Sequence, residues 1–491
     1  MSKSILIFFI FISSTLLQEN VYPSLKYIIN EPQLKDLEIG IIKYFLNNKD
    51  FSFPGFNFTQ KIDFIGTVQF NMSDSKFRLV DLTDKTFEIN FNEPDKISLK
   101  VYNVKALIQF YYIFRSNFYS NHGTGKIAIK DTSVTMNTKV LRITNKKEPN
   151  KKGPGLEIES FSFDAKDFEF DFEHEGTLEK MIEYILLNAK NAIVEIIKNK
   201  FNTDYRPLVN KQLYNLMENS NLSFPINSNM TIHYSMNREP QIKKNFLQME
   251  FEAQIKDKNY EYKGKTIEIP EVKESNYAID LLLSQYIFDN LFFLLGKQNR
   301  FNLLIKSEQV PIALTAGLLS NIFPNITQKF DSLYLADIGF EVENPPSIKF
   351  IEGKAMLNLY ENLTVYCRKD NVSKSEFAIS GDTDIELLLT INVTQSKIDG
   401  KIDSAKMTRF KTTKSTFEQN DDESVVQKSQ MIIDAMISLL NMRISEALKN
   451  ISLPMIEGVE LKNIDVHIHD QYMNIGILPN ITKKAKKFFF F

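Results

Sequence analysis

The sequence of 491 residues contains no tryptophan and one cysteine, Cys367, and its formal net charge is only −2. A single thiol excludes an intramolecular disulfide, so the fold has to rely on its apolar core. Cys367 is interpreted as a quiet strand residue, with pairing between chains as the alternative. Because nucleic-acid binding requires cations that displace counterions from phosphates, the near-neutral balance indicates no nucleic-acid partner.

Motifs of common enzymes are also missing from the sequence. There is no G-x-S-x-G elbow, no H-E-x-x-H pair and no Walker loop, and residues 123–126 (GTGK) lack the full phosphate-loop spacing and are interpreted as a turn. His467 and His469 would share one strand face, but without a third ligand they are interpreted as solvent-facing residues. The sequence therefore predicts a protein that is not an enzyme and has neither catalytic residues nor a cofactor or metal ion.

The N-terminal residues have the pattern of a secretory signal. Lys3 precedes an apolar run over residues 5–12, and small residues follow that run, as in a signal peptide. The run is too short to span a bilayer, and an N-terminal core strand is the alternative. We expect residues 1–18 to be a signal peptide and the mature protein to be secreted, extracellular or in the lumen of the secretory pathway.

Glycosylation sequons agree with that route, since N-x-S/T sites accept glycans in secreted proteins. Several would occur by chance in a chain so rich in asparagine, so their support is modest. The sequons begin at Asn57, Asn71, Asn221, Asn229, Asn325, Asn362, Asn371, Asn392, Asn450 and Asn480.

Apolar residues at helical spacing predict four helices, over residues 34–47, 177–217, 277–295 and 433–448. Thr177 is placed to cap the second helix, and Pro207 is expected to kink it because proline has no backbone N–H. Gly296 is placed to end the third helix. Each half of the chain would therefore contain a helix with a wide apolar face.

Alternation of apolar and polar residues predicts half-buried antiparallel strands over residues 87–91, 104–114, 161–172, 360–366, 385–391 and 459–477. A change of face between Phe163 and Phe168 predicts a bulge. The segments 146–155 and 399–423 are interpreted as loops, because the first is rich in Lys, Gly and Pro and the second in charge. The order helix, strands, helix occurs twice, which favours a duplicated architecture with domains over residues 19–225 and 226–482.

Five segments resemble parts of one known family. Their sequences are FPGFNF (53–58), YAIDLLLSQYIFDNLFFLL (277–295), NIFPNITQKF (321–330), NPPSIKFIEGKAMLNLYENLTVYC (344–367) and ISLPMIEGVELKNIDVHIHDQYMNIGI (451–477). In this order they resemble the family of bactericidal/permeability-increasing, lipopolysaccharide-binding and cholesteryl-ester-transfer proteins. The resemblance covers nearly all of the expected mature chain.

The resemblance implies an α+β fold, an elongated boomerang of two barrels joined by a central sheet. In each barrel a long helix is wrapped by a curved antiparallel sheet, and apolar pockets near the waist hold acyl chains. Two features depart from the family. The disulfide of the first barrel has no counterpart here, and residues 19–230 hold 27 Lys plus Arg and 27 Asp plus Glu, whereas lipopolysaccharide-binding members have a basic first barrel.

Helix faces opposed by Phe-rich strands are the candidate lining of such pockets. An acyl chain of about 16 carbons costs roughly 13 kcal/mol to expose to water, at about 0.8 kcal/mol per methylene. For each residue, core packing without lipid contact is the alternative. The candidate lipid-binding residues are Leu37, Ile41, Phe45, Ile182, Ile185, Leu186, Ala189 and Ile193 in the first half, and Leu281, Phe288, Phe292, Met436 and Leu440 in the second.

The leading hypothesis is a secreted lipid-binding protein that holds phospholipid or another acyl lipid, transfers it between membranes and touches membrane surfaces transiently. The tail KKAKKFFFF (483–491) is a hypothetical membrane contact, with a disordered end as the alternative. An antimicrobial or innate-recognition protein that binds bacterial lipopolysaccharide is the second hypothesis, and the neutral first half argues against it. A secreted lipid-modifying enzyme and a structural glycoprotein are further alternatives.

Overall fold

The computed structural model describes residues 22–31, 51–53, 55–62, 66–80, 87–164, 166–172, 177–188, 190–271, 275–309, 313–394, 397–418, 421–449 and 459–481. The expected signal peptide, the helix over residues 34–47 and the tail 483–491 lie outside the described residues. So do the whole of Leu37, Ile41, Phe45 and Ala189 and the side chains of Leu186 and Ile193.

The described strands of the first half are β1 (Leu25–Asn30), β2 (Phe51–Phe53), β3 (Phe56–Ile62), β4 (Gly66–Val80), β5 (Phe87–Asn92), β6 (Lys96–Arg115), β7 (Ser120–Thr144), β8 (Lys152–Asp164) and β9 (Asp167–Phe172). Strands β2 to β9 form an eight-stranded sheet in the order β2-β4-β6-β7-β8, with β3 beside β4, β5 beside β6 and β9 beside β7. All these pairs are antiparallel. The strands that alternation predicts over residues 87–91, 104–114 and 161–172 are confirmed, and β6 begins earlier than predicted, at Lys96.

Irregularities at two places in this sheet change which residues face inward. Asp74 in β4 and Asp131 in β7 both have a backbone φ of 48°, a conformation that aspartate tolerates better than most residues. The inward positions change parity at both points, and β6 slips in register between Val101 and Ala106. The predicted change of face after Phe163 lies opposite the irregularity at Asp131 in β7, as a break between β8 and β9 rather than a bulge within one strand.

Residues 123–126 belong to β7, so their interpretation as a turn is wrong. Segment 146–155 is a turn only over residues 145–151, because β8 already begins at Lys152.

The long helix of the first half is interrupted where proline requires it. It consists of α1 (Thr177–Asn188), α2 (Lys190–Lys200), a π-helical turn (Phe201–Tyr205) and α3 (Arg206–Glu218). The π-helical turn ends two residues before Pro207, so the regular α-helix is interrupted at the place where the sequence predicts a kink. The amides of Asn202 and Asn210 bond to backbone groups of Phe161 and Ile158 in β8, at 2.8–3.2 Å. These bonds cover the exposed edge of the sheet.

The described strands of the second half are β10 (Ser223–Pro225), β11 (Met230–Met236), β12 (Gln241–Lys243), β13 (Phe246–Asp257), β14 (Ile279–Ser284), β15 (Leu303–Ile305), β16 (Leu335–Ile351), β17 (Lys354–Arg368), β18 (Glu376–Thr394), β19 (Lys397–Ser415), β20 (Val459–His469) and β21 (Tyr472–Ile481). An eight-stranded sheet runs in the order β10-β11-β13-β1-β14-β21-β20, with β12 beside β13. Strand β1 therefore lies between two strands of the second half, with Tyr27 opposite both Met249 and Leu281. This central sheet joins the two halves of the chain.

A five-stranded antiparallel sheet, β15-β16-β17-β18-β19, forms the rest of the second half. Strand β19 contradicts the interpretation of residues 399–423 as a loop. Its outward side chains carry the charge, while Ile402, Met407 and Phe410 are buried on the inner face. Three register shifts against β18 interrupt its alternation.

The described helices of the second half are α4 (Gln285–Lys297), a 3₁₀ turn (Ser307–Gln309), α5 (Ala316–Leu319), α6 (Ile326–Lys329), α7 (Asp422–Lys428) and α8 (Gln430–Lys449). The helix over 433–448 is confirmed as α8. The helix predicted over 277–295 is wrong at its start, because residues 279–284 are β14 and the side chain of Ser284 caps α4 by accepting from the Tyr286 N–H. Gly296 lies within α4, where a Cβ would be 2.5 Å from Pro346 Cδ. Close packing against Pro346, and not the end of the helix, requires glycine there.

The fold is mostly sheet with a few helices. The buried apolar side chains of the described residues form three clusters. The largest spans the central and five-stranded sheets and includes Ile89, Phe91 and Val140 of the first-half sheet, the second lies inside the first-half sheet, and the third consists of Ile28, Ile269 and Leu282. Among the described residues, no helix is long and apolar enough to cross a membrane.

Candidate functional site

The first candidate interior lies between α1 and the first-half sheet. Ile182 and Ile185 are 0% and 2% exposed and belong to the second apolar cluster. Aromatic rings from neighbouring strands form a continuous lining in this cluster: Tyr112 stacks on Phe70 at 5.9 Å and meets Phe172 edge-on at 5.3 Å. Such offset and edge contacts are favourable for aromatic pairs. The interior is therefore apolar, as the sequence predicts for Ile182 and Ile185.

Gly125 makes room for this aromatic lining. A Cβ at Gly125 would lie 2.8 Å from Phe110 Cζ and 3.1 Å from Phe172 Cδ1. Phe110 and Phe172 meet edge-on across this position at 6.5 Å. The glycine-rich segment 123–126 thus serves packing within β7 and not the binding of a phosphate.

The second candidate interior lies in the largest cluster, which brings together all five residues predicted for the second half. Leu281, Phe288, Phe292, Met436 and Leu440 are at most 1% exposed and belong to this one cluster. From α4, Phe288 packs on Phe350 at 5.0 Å and Phe292 on Phe301 at 6.1 Å. The predicted residues that the structure describes therefore divide between two apolar interiors, one inside the first-half sheet and one that takes in residues of both halves.

Sequence reasoning missed one residue of this second interior, Glu361. It lies on β17 between Leu359 and Leu363, on the inner face of the five-stranded sheet, and is 1% exposed. Neither carboxyl oxygen has a hydrogen-bond partner in the described part of the chain. Burial raises the pKa of Glu361 from 4.5 to about 8. The signal was present in the sequence, because Glu361 occupies an apolar position in the alternation of β17.

A cluster of polar side chains around Ser223 and His233 is relevant to the alternative that the protein is a lipid-modifying enzyme. Ser223 Oγ lies 2.8 Å from His233 Nδ1 and 2.7 Å from a Glu148 oxygen, which superficially resembles a Ser–His–acid set. Lys151 Nζ, which can only donate, lies 2.6 Å from the same His233 nitrogen. Burial and then Lys151 lower the pKa of His233. In a hydrolytic triad the acid orients one ring nitrogen and the serine uses the other, and here all three partners gather on Nδ1.

This polar cluster instead joins the two halves of the fold. Glu148 and Lys151 lie in the turn between β7 and β8, whereas Ser223 and His233 lie on β10 and β11 of the central sheet. Asn145 strengthens the same junction, since its amide donates to the Ser220 carbonyl at 2.8 Å.

His467 and His469 lie on β20 and line an open cleft of about 240 Å³, together with residues of β18. His467 is exposed, whereas His469 stacks on Tyr472 at 4.8 Å and lies 3.3 Å from Glu352. The described residues contain no group of three or more His, Cys, Asp or Glu side chains that is arranged to hold a metal ion. The cleft is smaller than the ~300–1,000 Å³ of typical ligand pockets.

The fold described above consists of curled antiparallel sheets with helices packed on their apolar faces. This arrangement can be compared with known protein families. The sequence model for the C-terminal domain of the LBP/BPI/CETP family matches residues 225–478. The chain therefore belongs to the LBP/BPI/CETP family, as its sequence motifs predict.

The solved structure of a lipopolysaccharide binding protein has the same fold. It is 16% identical, with a TM-score of 0.52, and the match covers 94% of this chain and 100% of the other. P47 of Clostridium botulinum E1 (11% identity, TM-score 0.28) matches over 93% of this chain and 99% of its own. Takeout 1 of Epiphyas postvittana (10%, TM-score 0.22) matches over 36% and 82%. These two are too remote to support a structural argument. No curated protein matches the chain.

Proposed function

We propose that this protein is a non-catalytic lipid carrier that holds the acyl chains of phospholipid-like lipids in its two apolar interiors and moves them between membranes. Membership of the LBP/BPI/CETP family is the observation that carries the proposal. The two separate apolar interiors agree with it. An apolar interior removes most of the roughly 13 kcal/mol that a chain of about 16 methylenes costs in water.

The proposal includes an elongated, two-barrel shape with lipid-binding domains over residues 19–225 and 226–482. The central sheet, which takes strands from both ends of the chain, would be the waist between them. Leu37, Ile41, Phe45, Leu186, Ala189 and Ile193 would complete the lining of the first barrel.

The proposal also places the protein in the secretory pathway after loss of residues 1–18. Six sequon asparagines are exposed, which glycosylation requires: Asn57, Asn71, Asn221, Asn229, Asn371 and Asn392.

Binding of bacterial lipopolysaccharide is the second candidate function, and the likeness to a lipopolysaccharide binding protein favours it. Lipopolysaccharide carries clustered phosphates, which call for clustered Lys and Arg. The 27 basic and 27 acidic residues over 19–230 give no such excess, so phospholipid-like cargo is preferred. Competition between the two lipids for the purified protein distinguishes them, because preferential capture of lipopolysaccharide from a mixture would reverse the assignment.

The decisive experiment is solvent extraction and mass spectrometry of lipid that co-purifies with the native protein. Ile185→Phe would enlarge a buried side chain in the first interior, and we expect less co-purified lipid with an unchanged circular dichroism spectrum. Leu187→Phe is the matched control, because Leu187 lies on the same helix and is 43% exposed. Native protein that carries no lipid and takes up none from vesicles would disprove the function.

A further inference from the structure

The carboxyl of Glu361 occupies the middle of an otherwise apolar surface. The row that crosses the five-stranded sheet at this position runs Val342, Glu361, Thr383, Phe410. Along β17, Leu359 and Leu363 flank it, and both are fully buried. The Thr383 hydroxyl donates to the Arg409 carbonyl at 3.0 Å. The carboxyl therefore projects from the inner face of the sheet among side chains that offer it no hydrogen bond.

No fold contact within the described residues offsets the cost of burying this group. A buried polar group without a partner destabilises a protein, and an apolar residue of similar volume would avoid that penalty. Among the described residues, the carboxyl makes no ion pair or hydrogen bond that would fix a turn, a strand end or a junction between elements. An unpartnered acid buried in this way is a candidate for contact with a bound molecule.

The chemistry of the site selects the kind of group that fits. An apolar site favours the neutral carboxylic acid, which offers one donor and acceptor capacity side by side. A hydroxyl is its complement, because it both donates and accepts. A phosphate would bring negative charge onto an acidic group, and the row holds no cation to balance it. An anionic partner is therefore disfavoured, and the neutral acid is best matched by an uncharged hydroxyl.

We propose that Glu361 is a binding residue for the free hydroxyl of an uncharged lipid, such as a diacylglycerol or a sterol, held in the second apolar interior. This inference rests on the proposed function, since it assigns part of the lipid cargo to one half of the chain. The first interior has no corresponding buried carboxyl among its described residues, so the two halves would differ in selectivity.

The test uses the full chain incubated with phosphatidylcholine vesicles that contain either diacylglycerol or the same lipid with its hydroxyl acetylated. The protein is re-isolated and its lipids are counted by mass spectrometry. We expect the native protein to take up the hydroxyl lipid about tenfold more readily, as the loss of one good hydrogen bond implies. Glu361→Leu should abolish this preference, whereas Glu361→Gln, which keeps a donor and an acceptor, should retain most of it.

Glu386→Leu is the matched control, because Glu386 is exposed on the neighbouring strand β18, and its lipid selectivity should not change. Uptake of phosphatidylcholine without any preference for the hydroxyl lipid, or an undiminished preference in Glu361→Leu, would overturn the role of Glu361 while the carrier function stands. Absence of all lipid uptake by the native protein would refute the carrier function itself. In a parallel incubation with vesicles that contain a long-chain amine, uptake of the amine by the native protein that Glu361→Leu loses would overturn the assignment to a hydroxyl and reassign the site to a cation.

Discussion

The buried carboxyl of Glu361 makes a quantitative prediction about stability and pH. Its pKa is about 8 in the folded protein and 4.5 in the unfolded chain. Above pH 4.5 the unfolded chain has released this proton, whereas the folded protein keeps it until about pH 8. Because the folded state then binds more protons than the unfolded state, the free energy of unfolding falls as the pH rises through this window.

The expected size follows from about 1.4 kcal/mol for each pH unit. Between pH 4.5 and about 8, Glu361 lowers the free energy of unfolding by roughly 5 kcal/mol in total. This is a large part of the 5–15 kcal/mol by which a typical domain is stable. Glu361→Gln is neutral at every pH and lacks this dependence. The variant should match the native protein near pH 4.5 and exceed its stability progressively up to about pH 8.

Urea unfolding of the native protein, Glu361→Gln and the exposed control Glu386→Gln, followed by circular dichroism across this pH range, measures the difference. The control should parallel the native protein. Parallel curves for Glu361→Gln and the native protein would show that the carboxyl is solvated or paired, and the reasoning about its burial would then be wrong.

Three further predictions use the same unfolding assay or a simple labelling assay. Asp337→Ala should lower the free energy of unfolding by up to about 3–5 kcal/mol, because it removes the buried carboxylate 2.9 Å from the Arg368 guanidinium and leaves that cation the more exposed Glu308 as an acidic partner; Asp337→Leu combined with Arg368→Met should recover most of that loss, and an equal loss in the double variant would contradict the pairing. Phe292→Ala should lower the free energy of unfolding by about 3–5 kcal/mol. Tyr184→Ala, at a side chain that is 65% exposed, should change that free energy little, and equal effects of the two substitutions would contradict the assigned burial. Cys367 is buried, and burial raises the pKa of its thiol to about 12, so a thiol reagent near neutral pH should react only after urea is added, and rapid labelling of the folded protein would refute this.

Elements with one buried and one exposed face could be predicted from the sequence. The alternation in β5, β6 and β17 and the apolar stripes of α1 and α8 arise from that asymmetry. The break before Pro207 could be predicted as well, because it follows from the covalent structure of proline.

Elements whose environment is set by distant parts of the chain could not be predicted. Strand β14 is buried on both faces and therefore shows no alternation of apolar and polar residues. Its apolar run could not be distinguished from the apolar face of helix α4, which follows it directly. In β19 the register shifts break the period of two, and charge on the outer face concealed a thin apolar inner face.

The candidate site was predictable in its apolar part. Ile182, Ile185 and the five residues of the second half are buried as their periodicity indicates, but periodicity cannot show that they divide between two interiors. Glu361 belongs to no catalytic or metal-binding sequence motif, and its only signal is a charged residue at an apolar position in the alternation of β17.

The position of β1 has a consequence for biosynthesis. Ser24, beside β1, bonds to Ala253, which is 229 residues later in the chain. At roughly 5–20 residues per second, the ribosome needs about 10–45 s to make that partner. Throughout this delay the apolar strand β1 waits without its neighbours β13 and β14, so the central sheet can form only after those strands have been made, and a chaperone has a defined interval in which to act.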